Sequence, residues 1–204
     1  MAKVDTLYDK LPNLVLGFHG CNETTFQDVL YNHNHLKPSD NDYDWLGNGI
    51  YFWENSFERA KEWADTKYKK KSKVIGAVLD LGHCLNLTDY KSDAILKSGY
   101  SFVKALYQSS GRTLPTNKKG RSQTDVLLRN LDCLVIQQIN SLAKSGKYGW
   151  DAFDSVRGVF TEGKEAFPGS AIAEKTHIQI CIVNPNCIKG YFSPMQADEQ
   201  YRIP

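Results

Sequence analysis

The sequence predicts a single α+β domain, and three observations carry that prediction. Short apolar runs of strand character lie toward both ends of the chain, at 14–20, 50–53 and 74–81 and again at 154–160, 176–185 and 187–192. Between the two groups, 93–109 and 124–144 carry apolar residues at helical spacing. A length of 204 residues with 41% apolar content is enough to bury one substantial core, and neither an internal repeat nor a low-complexity linker divides it.

Bulk properties exclude more than they assign. A net charge of +2 shows no global preference for nucleic acid or membrane. No apolar run approaches the roughly 20 residues of a membrane span, and residues 1–13 are polar, without the apolar core of a secretory leader. Five cysteines, with no C-x-x-C spacing, suggest neither a disulfide framework nor a zinc site. The expectation is a reduced, cytoplasmic protein without a metal.

Taken in order, 14–20 ends in Phe18-His19-Gly20 and reads as a first core strand. Its alternation places Leu14, Leu16 and Phe18 on one face and Val15, Gly17 and His19 on the other. Phe26, Val29 and Leu30 give 23–32 helical spacing, and 36–44 is a polar loop containing Pro38. Then comes Trp45-Leu46-Gly47-Asn48-Gly49-Ile50-Tyr51-Phe52-Trp53-Glu54, a glycine turn running into an aromatic strand. Asn55, with Glu58 three residues on, reads as a capping box that opens a helix over 56–68.

The order strand-His-Gly, helix, loop, Gly-x-Gly-Ile-Tyr-Phe, helix resembles the ADP-ribosyltransferase superfamily, in its poly(ADP-ribose) polymerase and diphtheria-toxin-like branch. Phe18-His19-Gly20 is similar to that family's first motif and Gly47-Asn48-Gly49-Ile50-Tyr51-Phe52 to its second. The likeness covers roughly the first third of the chain. It implies a fold of two small antiparallel sheets that form an NAD cleft. NAD would be the co-substrate, and no metal would be needed. Cys21 stands where the family commonly has Ser or Thr, Arg59 where it often has Ser, and Trp63 one position beyond its usual second Tyr.

The chemistry of such a cleft suits these residue types. An imidazole such as His19 can hydrogen-bond a hydroxyl of the adenosine ribose, and Gly20 offers a main-chain N–H and C=O to the nicotinamide amide. Tyr51 supplies a flat face for the nicotinamide ring. The resemblance therefore assigns NAD binding to His19, Gly20, Gly49, Tyr51, Arg59 and Trp63.

Beyond the motifs, residues 67–73 hold five lysines, read as a solvated helix end or as an acceptor-binding patch. Val126, Leu127, Leu131, Leu134, Val135 and Ile139 mark the second long helix. Loop 111–123 joins it to the first and carries Lys118, Lys119 and Arg121. The pair reads as a helical insertion over about 90–146. Strand 154–160 resembles the one that precedes the family's acceptor loop, which would span 161–176 here. In the next strand Ile178, Ile180 and Ile182 point to the core, while His177, Gln179, Cys181 and Val183 point the other way.

The resemblance places the family's third signature residue, usually Glu, at Gln179. That carboxylate bonds the nicotinamide-ribose 2′-OH and stabilises an oxocarbenium-like transition state. Gln179 keeps the hydrogen-bonding capacity but carries no charge and is no base. A carboxylate borrowed from Glu162 or Glu174, or less directly from Glu54, is the alternative. Tyr51, Gln179, Glu174 and Glu162 are thus the catalytic candidates. The implied activity is mono-ADP-ribosyl transfer from NAD to a protein or nucleic acid, in the manner of a toxin or defence effector with an inhibitor or antitoxin protein as a further partner. A non-catalytic NAD or ADP-ribose binding module and an NAD glycohydrolase are the rival readings.

Overall fold

A computed structural model describes residues 14–119, 125–146 and 149–203. The strands are β1 (Leu14–Asn22), β2 (Ile50–Glu54), β3 (Ser72–Asp80), β4 (Cys84–Asn86), β5 (Ser155–Phe160), β6 (His177–Ile182) and β7 (Ile188–Phe192). The helices are α1 (Glu23–Tyr31), α2 (Phe57–Tyr68), α3 (Ser92–Ser109) and α4 (Asn130–Lys144), and 3-10 turns cover Lys69–Lys71 and Pro185–Cys187.

The fold is α+β, with the described strands in one seven-stranded mixed sheet of order β4-β5-β6-β2-β1-β3-β7. One sheet thus stands where two small ones were expected. The reason is the junction of β1 and β2. Whereas β1 runs against β3 along its whole length, it meets β2 only at Gly17↔Glu54 and Phe18↔Trp53. Those rungs fuse β4-β5-β6-β2 with β1-β3-β7, and one core lies across the junction. Val29, Phe52, Ile75, Leu79, Ile180 and Ile182 form one core. On the opposite side of β6, Cys181 joins Leu85, Val156, Phe160 and the helix residues Val103, Val135 and Ile139. A smaller cluster of Trp53, Ala60 and Val74 seats α2, with Phe18 and Phe57 packed on it.

Strand β6 is buried on both faces, so its apolar/polar alternation reports two interiors rather than core and solvent: Ile180 lies on one side, while His177, Gln179 and Cys181 are enclosed on the other. Helices α3 and α4 pack on each other, but α4 begins at Asn130 rather than 124. Residues Lys118 and Leu128 exchange backbone bonds instead, and Asn117 Oδ1 accepts from the N–H groups of Leu131 and Asp132 at 2.9 and 3.3 Å. A cap delivered from a distant loop sets the start of the helix.

The expected capping box does not form. The Asn55 N–H bonds Leu16 O at 2.9 Å, so the chain reverses at Asn55 in the left-handed region (φ +49) and Ser56 becomes the N-cap, without a side-chain bond. The cap of α1 is regular: Asn22 Oδ1 accepts from Thr25 N at 2.8 Å.

Candidate functional site

The cleft follows from the short β1–β2 ladder. Leu16 O accepts from Asn55 N, and Phe18 pairs with Trp53 two residues on, so the next hydrogen-bonded rung would join Gly20 to Tyr51. That rung is absent from the ladder. The His19 imidazole takes the Tyr51 carbonyl instead, with Nδ1 2.8 Å from the oxygen. The alternation turns the N–H and C=O of Gly20 to the side of β1 away from β3, toward the opening. Above Gly20, α2 lies so close that a Cβ would sit 2.4 Å from Ala60 O.

Burial lowers the proton affinity of His19 below the ordinary imidazole range, with a further contribution from the charge of Lys67, against the raising effect of the Tyr51 bond. The neutral ring donates Nδ1–H to Tyr51 and leaves Nε2 as a lone pair, an acceptor for a hydroxyl.

Tyr51 is held at both ends. Its hydroxyl donates to Gly47 O at 2.6 Å and accepts from Leu46 N at 2.8 Å, so the phenol clamps the turn that precedes its own strand. Burial raises its pKa, which removes it as a proton donor or base and leaves the ring face as its contribution. The turn itself demands glycine. Gly47 takes φ +79, and a Cβ on Gly49 would lie 2.5 Å from both Cys181 Sγ and Ile182 O.

Gln179 lies opposite Trp53 across the β2–β6 ladder. His177 precedes it on the same face, donates Nδ1–H to Lys175 O at 2.8 Å, and presents Nε2 to the Gln179 amide nitrogen at 3.2 Å. Burial lowers the pKa of His177, so its Nε2 is an acceptor and the amide NH2 of Gln179 must face it. The Gln179 carbonyl oxygen is thereby turned away from His177. Glu162 comes within 3.3 Å of Arg59 Nη2 and 3.6 Å of His177 Nε2. Burial raises its pKa, opposed by the nearby Arg59 charge. Arg59 also pairs with Glu62 one helical turn away.

His19, Gly49, Tyr51, Arg59, Trp63, Glu162 and Gln179 therefore line one cleft of about 570 Å³. Gly20 is not among the lining residues: it follows His19 on β1 and is buried beneath α2. Glu174 does not line it: the residue is exposed, with its carboxylate beside Gly163. Glu54 is turned to the other face of β2 and engaged by Arg157, whose Nε and Nη2 lie 2.5 and 2.8 Å from the carboxylate oxygens.

Sequence reasoning missed Trp45, Trp53 and His177. Alternation along β6 already placed His177 beside Gln179, but nothing local revealed that its ring would stack on Trp45, with centroids 6.2 Å apart. Trp45 is fixed by an Nε1–H bond to Leu127 O at 2.8 Å and by the Arg129 guanidinium 4.6 Å from its ring.

Both imidazoles hold fewer protons folded than unfolded. Their contribution to stability is complete above the unfolded pKa of about 6.5 and is lost as pH falls below it. Melting curves between pH 7.5 and 5 are expected to show Tm falling on the acid side, and less steeply for His19→Gln/His177→Gln. An equally steep fall in that variant would exclude these two groups as the cause.

The five cysteines are unbridged, and the described residues hold no cluster of three or more His, Cys, Asp or Glu placed to bind a metal ion. Among the described residues no helix is long and apolar enough to cross a membrane. No family model matches the chain, and no solved structure matches it. It is similar to an uncharacterized protein of Methanocaldococcus jannaschii, 26% identical over 195 residues that cover 84% of this chain and 83% of that one.

Proposed function

We propose that the cleft binds NAD and that the protein transfers ADP-ribose from it to a macromolecular acceptor, releasing nicotinamide. One observation carries the reading: the short β1–β2 ladder brings His19, Tyr51 and Gln179, from three separate strands, to the same opening. The donor and acceptor set fits the molecule. His19 Nε2 can accept a ribose hydroxyl, Gly20 can bond the carboxamide, the Tyr51 ring offers a stacking face, and the Gln179 carbonyl can accept the 2′-OH of the reacting ribose. NAD supplies its own leaving group, nicotinamide. The chain's task is to hold the ribose and place a negative end near it, and Glu162, a carboxylate of the cleft wall beside Arg59, could add charge. Action in the cytoplasm, where unbridged thiols stay reduced, belongs to the same reading, as does control by an inhibitor or antitoxin protein.

Incubation with NAD, followed by chromatography of released nicotinamide, tests the reaction. Labelled NAD in whole-cell lysate, then protease or nuclease, identifies the acceptor class. An absence of both nicotinamide release and an NAD-dependent thermal shift would overturn the reading. The lack of charge on Gln179 favours a second one, a binding module; a thermal shift without nicotinamide release would point there. Release without label transfer would indicate a glycohydrolase.

Two predictions arise here. His19→Ala is expected to raise the Kd for NAD about two- to twelvefold, the worth of one ordinary hydrogen bond of about 0.5–1.5 kcal/mol, and His19→Gln less, because its amide can still engage the Tyr51 carbonyl. Isothermal titration separates the two, and equal, negligible effects would remove His19 from the site.

Gln179→Ala is expected to lower nicotinamide release by about ten- to a hundredfold, as for a hydrogen bond to a centre that develops charge. Gln179→Glu should keep or raise release, with hydrolysis as the measured reaction, since it adds an anion where positive charge grows. Collapse of activity in Glu162→Gln, with Gln179→Ala unchanged, would move the catalytic role to Glu162.

A further inference from the structure

Along the outer edge of the cleft, α2 ends in an unusual concentration of charge. Residues 61–73 contain Lys61, Lys67, Lys69, Lys70, Lys71 and Lys73 against Glu62 and Asp65, in a chain whose net charge is only +2. Two of these lysines are neutralised, Lys61 by Asp65 at 2.5 Å and Lys73 by Glu23 at 3.1 Å. Among the described residues, Lys67, Lys69, Lys70 and Lys71 have no carboxylate partner, and all four are exposed. The last three form a 3-10 turn entered at Lys69 with φ +54.

The charge is interleaved with aromatic rings and runs into the cleft. Trp63, Lys67 and Tyr68 line the cleft itself, and Trp63 is 37% exposed. Lys67 Nζ lies 4.6 Å from the Trp63 ring centroid and 5.4 Å from that of Tyr68, so cation and ring faces form one strip. The loop wall contributes Lys37 and Asp44 to the cleft, and its sequence adds Asp40 and Asp42, so 37–44 is acidic on balance while 67–73 is strongly basic.

Resting on the transferase reading above, we propose that this strip binds single-stranded nucleic acid and presents it to the cleft as the acceptor. Unpaired lysines at adjacent positions suit a chain of phosphates, and the aromatic rings at the lip suit unstacked bases. A duplex keeps its base faces covered, and an acidic peptide would pair with the lysines but leave the rings unused. In the transfer, the bond from ribose C1′ to nicotinamide nitrogen breaks, and a bond from C1′ to a nitrogen or oxygen of the nucleotide forms. Nicotinamide leaves with the bonding pair, and the acceptor's proton passes to solvent.

Fluorescence anisotropy with labelled 20-nucleotide single strands of DNA and RNA, the matching duplexes and a polyglutamate peptide tests the partner. The full chain is compared with Lys69→Gln/Lys70→Gln/Lys71→Gln and with the corresponding triple Arg variant. Single strands are expected to bind best. The Gln variant should lose at least tenfold affinity in 0.1 M salt, with the slope of log K against log salt reduced by about 2, and the Arg variant should retain binding. Melting curves and acceptor-free nicotinamide release should be unchanged in both, because the three side chains lie outside the cleft. Equal binding of duplex or polyglutamate, or single-strand affinity unaltered in the Gln variant, would overturn the proposal. The binding arm needs no NAD. Failure of the unaltered full chain to bind oligonucleotides while it still releases nicotinamide therefore counts against the strip alone, and oligonucleotide binding without nicotinamide release counts against the transferase reading.

Discussion

Tyr51→Ala is expected to abolish nicotinamide release and to cost about 2–4 kcal/mol of stability, somewhat below the range for a fully buried aromatic because the ring is only half-buried. The two losses have separate origins. In the proposed site the ring would provide the stacking face, whereas the hydroxyl joins Leu46 N–H and Gly47 C=O and so holds the turn on which Gly49 depends. Tyr51→Phe separates them. It keeps the face but leaves two backbone groups without their partner, at a cost of about 1–3 kcal/mol. Thermal melts and nicotinamide assays on both variants read out the distinction. Normal turnover by Tyr51→Ala would mean that the cleft is not the site.

Arg157→Ala should be the most destabilising single change away from the cleft, by about 3–5 kcal/mol. The Glu54 side chain is only 11% exposed and that of Arg157 18%, and the pair spans β6 between its two neighbours β2 and β5. Truncating the arginine leaves a carboxylate enclosed without its counter-charge, and Asn86 and Thr88 lose the donor that reaches them at 3.4 and 3.2 Å. The double variant Glu54→Leu/Arg157→Met, which removes both charges and retains volume, is expected to recover much of the loss in urea titrations. If Arg157→Ala melts like the parent protein, the pair contributes nothing to holding β2 against β5.

How far the sequence was legible depended on how local each cause was. The strands were readable because apolar runs bounded by glycine and polar turns have few other uses, and the glycine turn before Tyr51 was readable because φ +79 at Gly47 demands that residue. The start of α4 was not, since its cap comes from Asn117 in a loop. Nor was the failure of the Asn55 capping box, which follows from a bond to Leu16 in another strand. The motif resemblance singled out His19, Tyr51 and Gln179, which share one cleft, but did not choose between Glu162 and Glu174. Loop 161–176 has no periodicity, and only tertiary packing turns Glu162 toward Arg59 and His177 while leaving Glu174 in solvent. The single sheet in place of two was equally hidden, because it rests on two rungs between β1 and β2.

The strand order also says when the cleft can first exist. Strand β6 lies directly beside β2 although more than a hundred residues separate them, and β7 seals β3 from the far end of the chain. During synthesis the His19 and Tyr51 segments emerge early, but their wall is missing until Gln179 has left the ribosome and β6 has slotted between β2 and β5. A nascent or truncated chain thus carries both N-terminal motifs without a pocket between them, and any chemistry of this cleft begins only once β6 is in place.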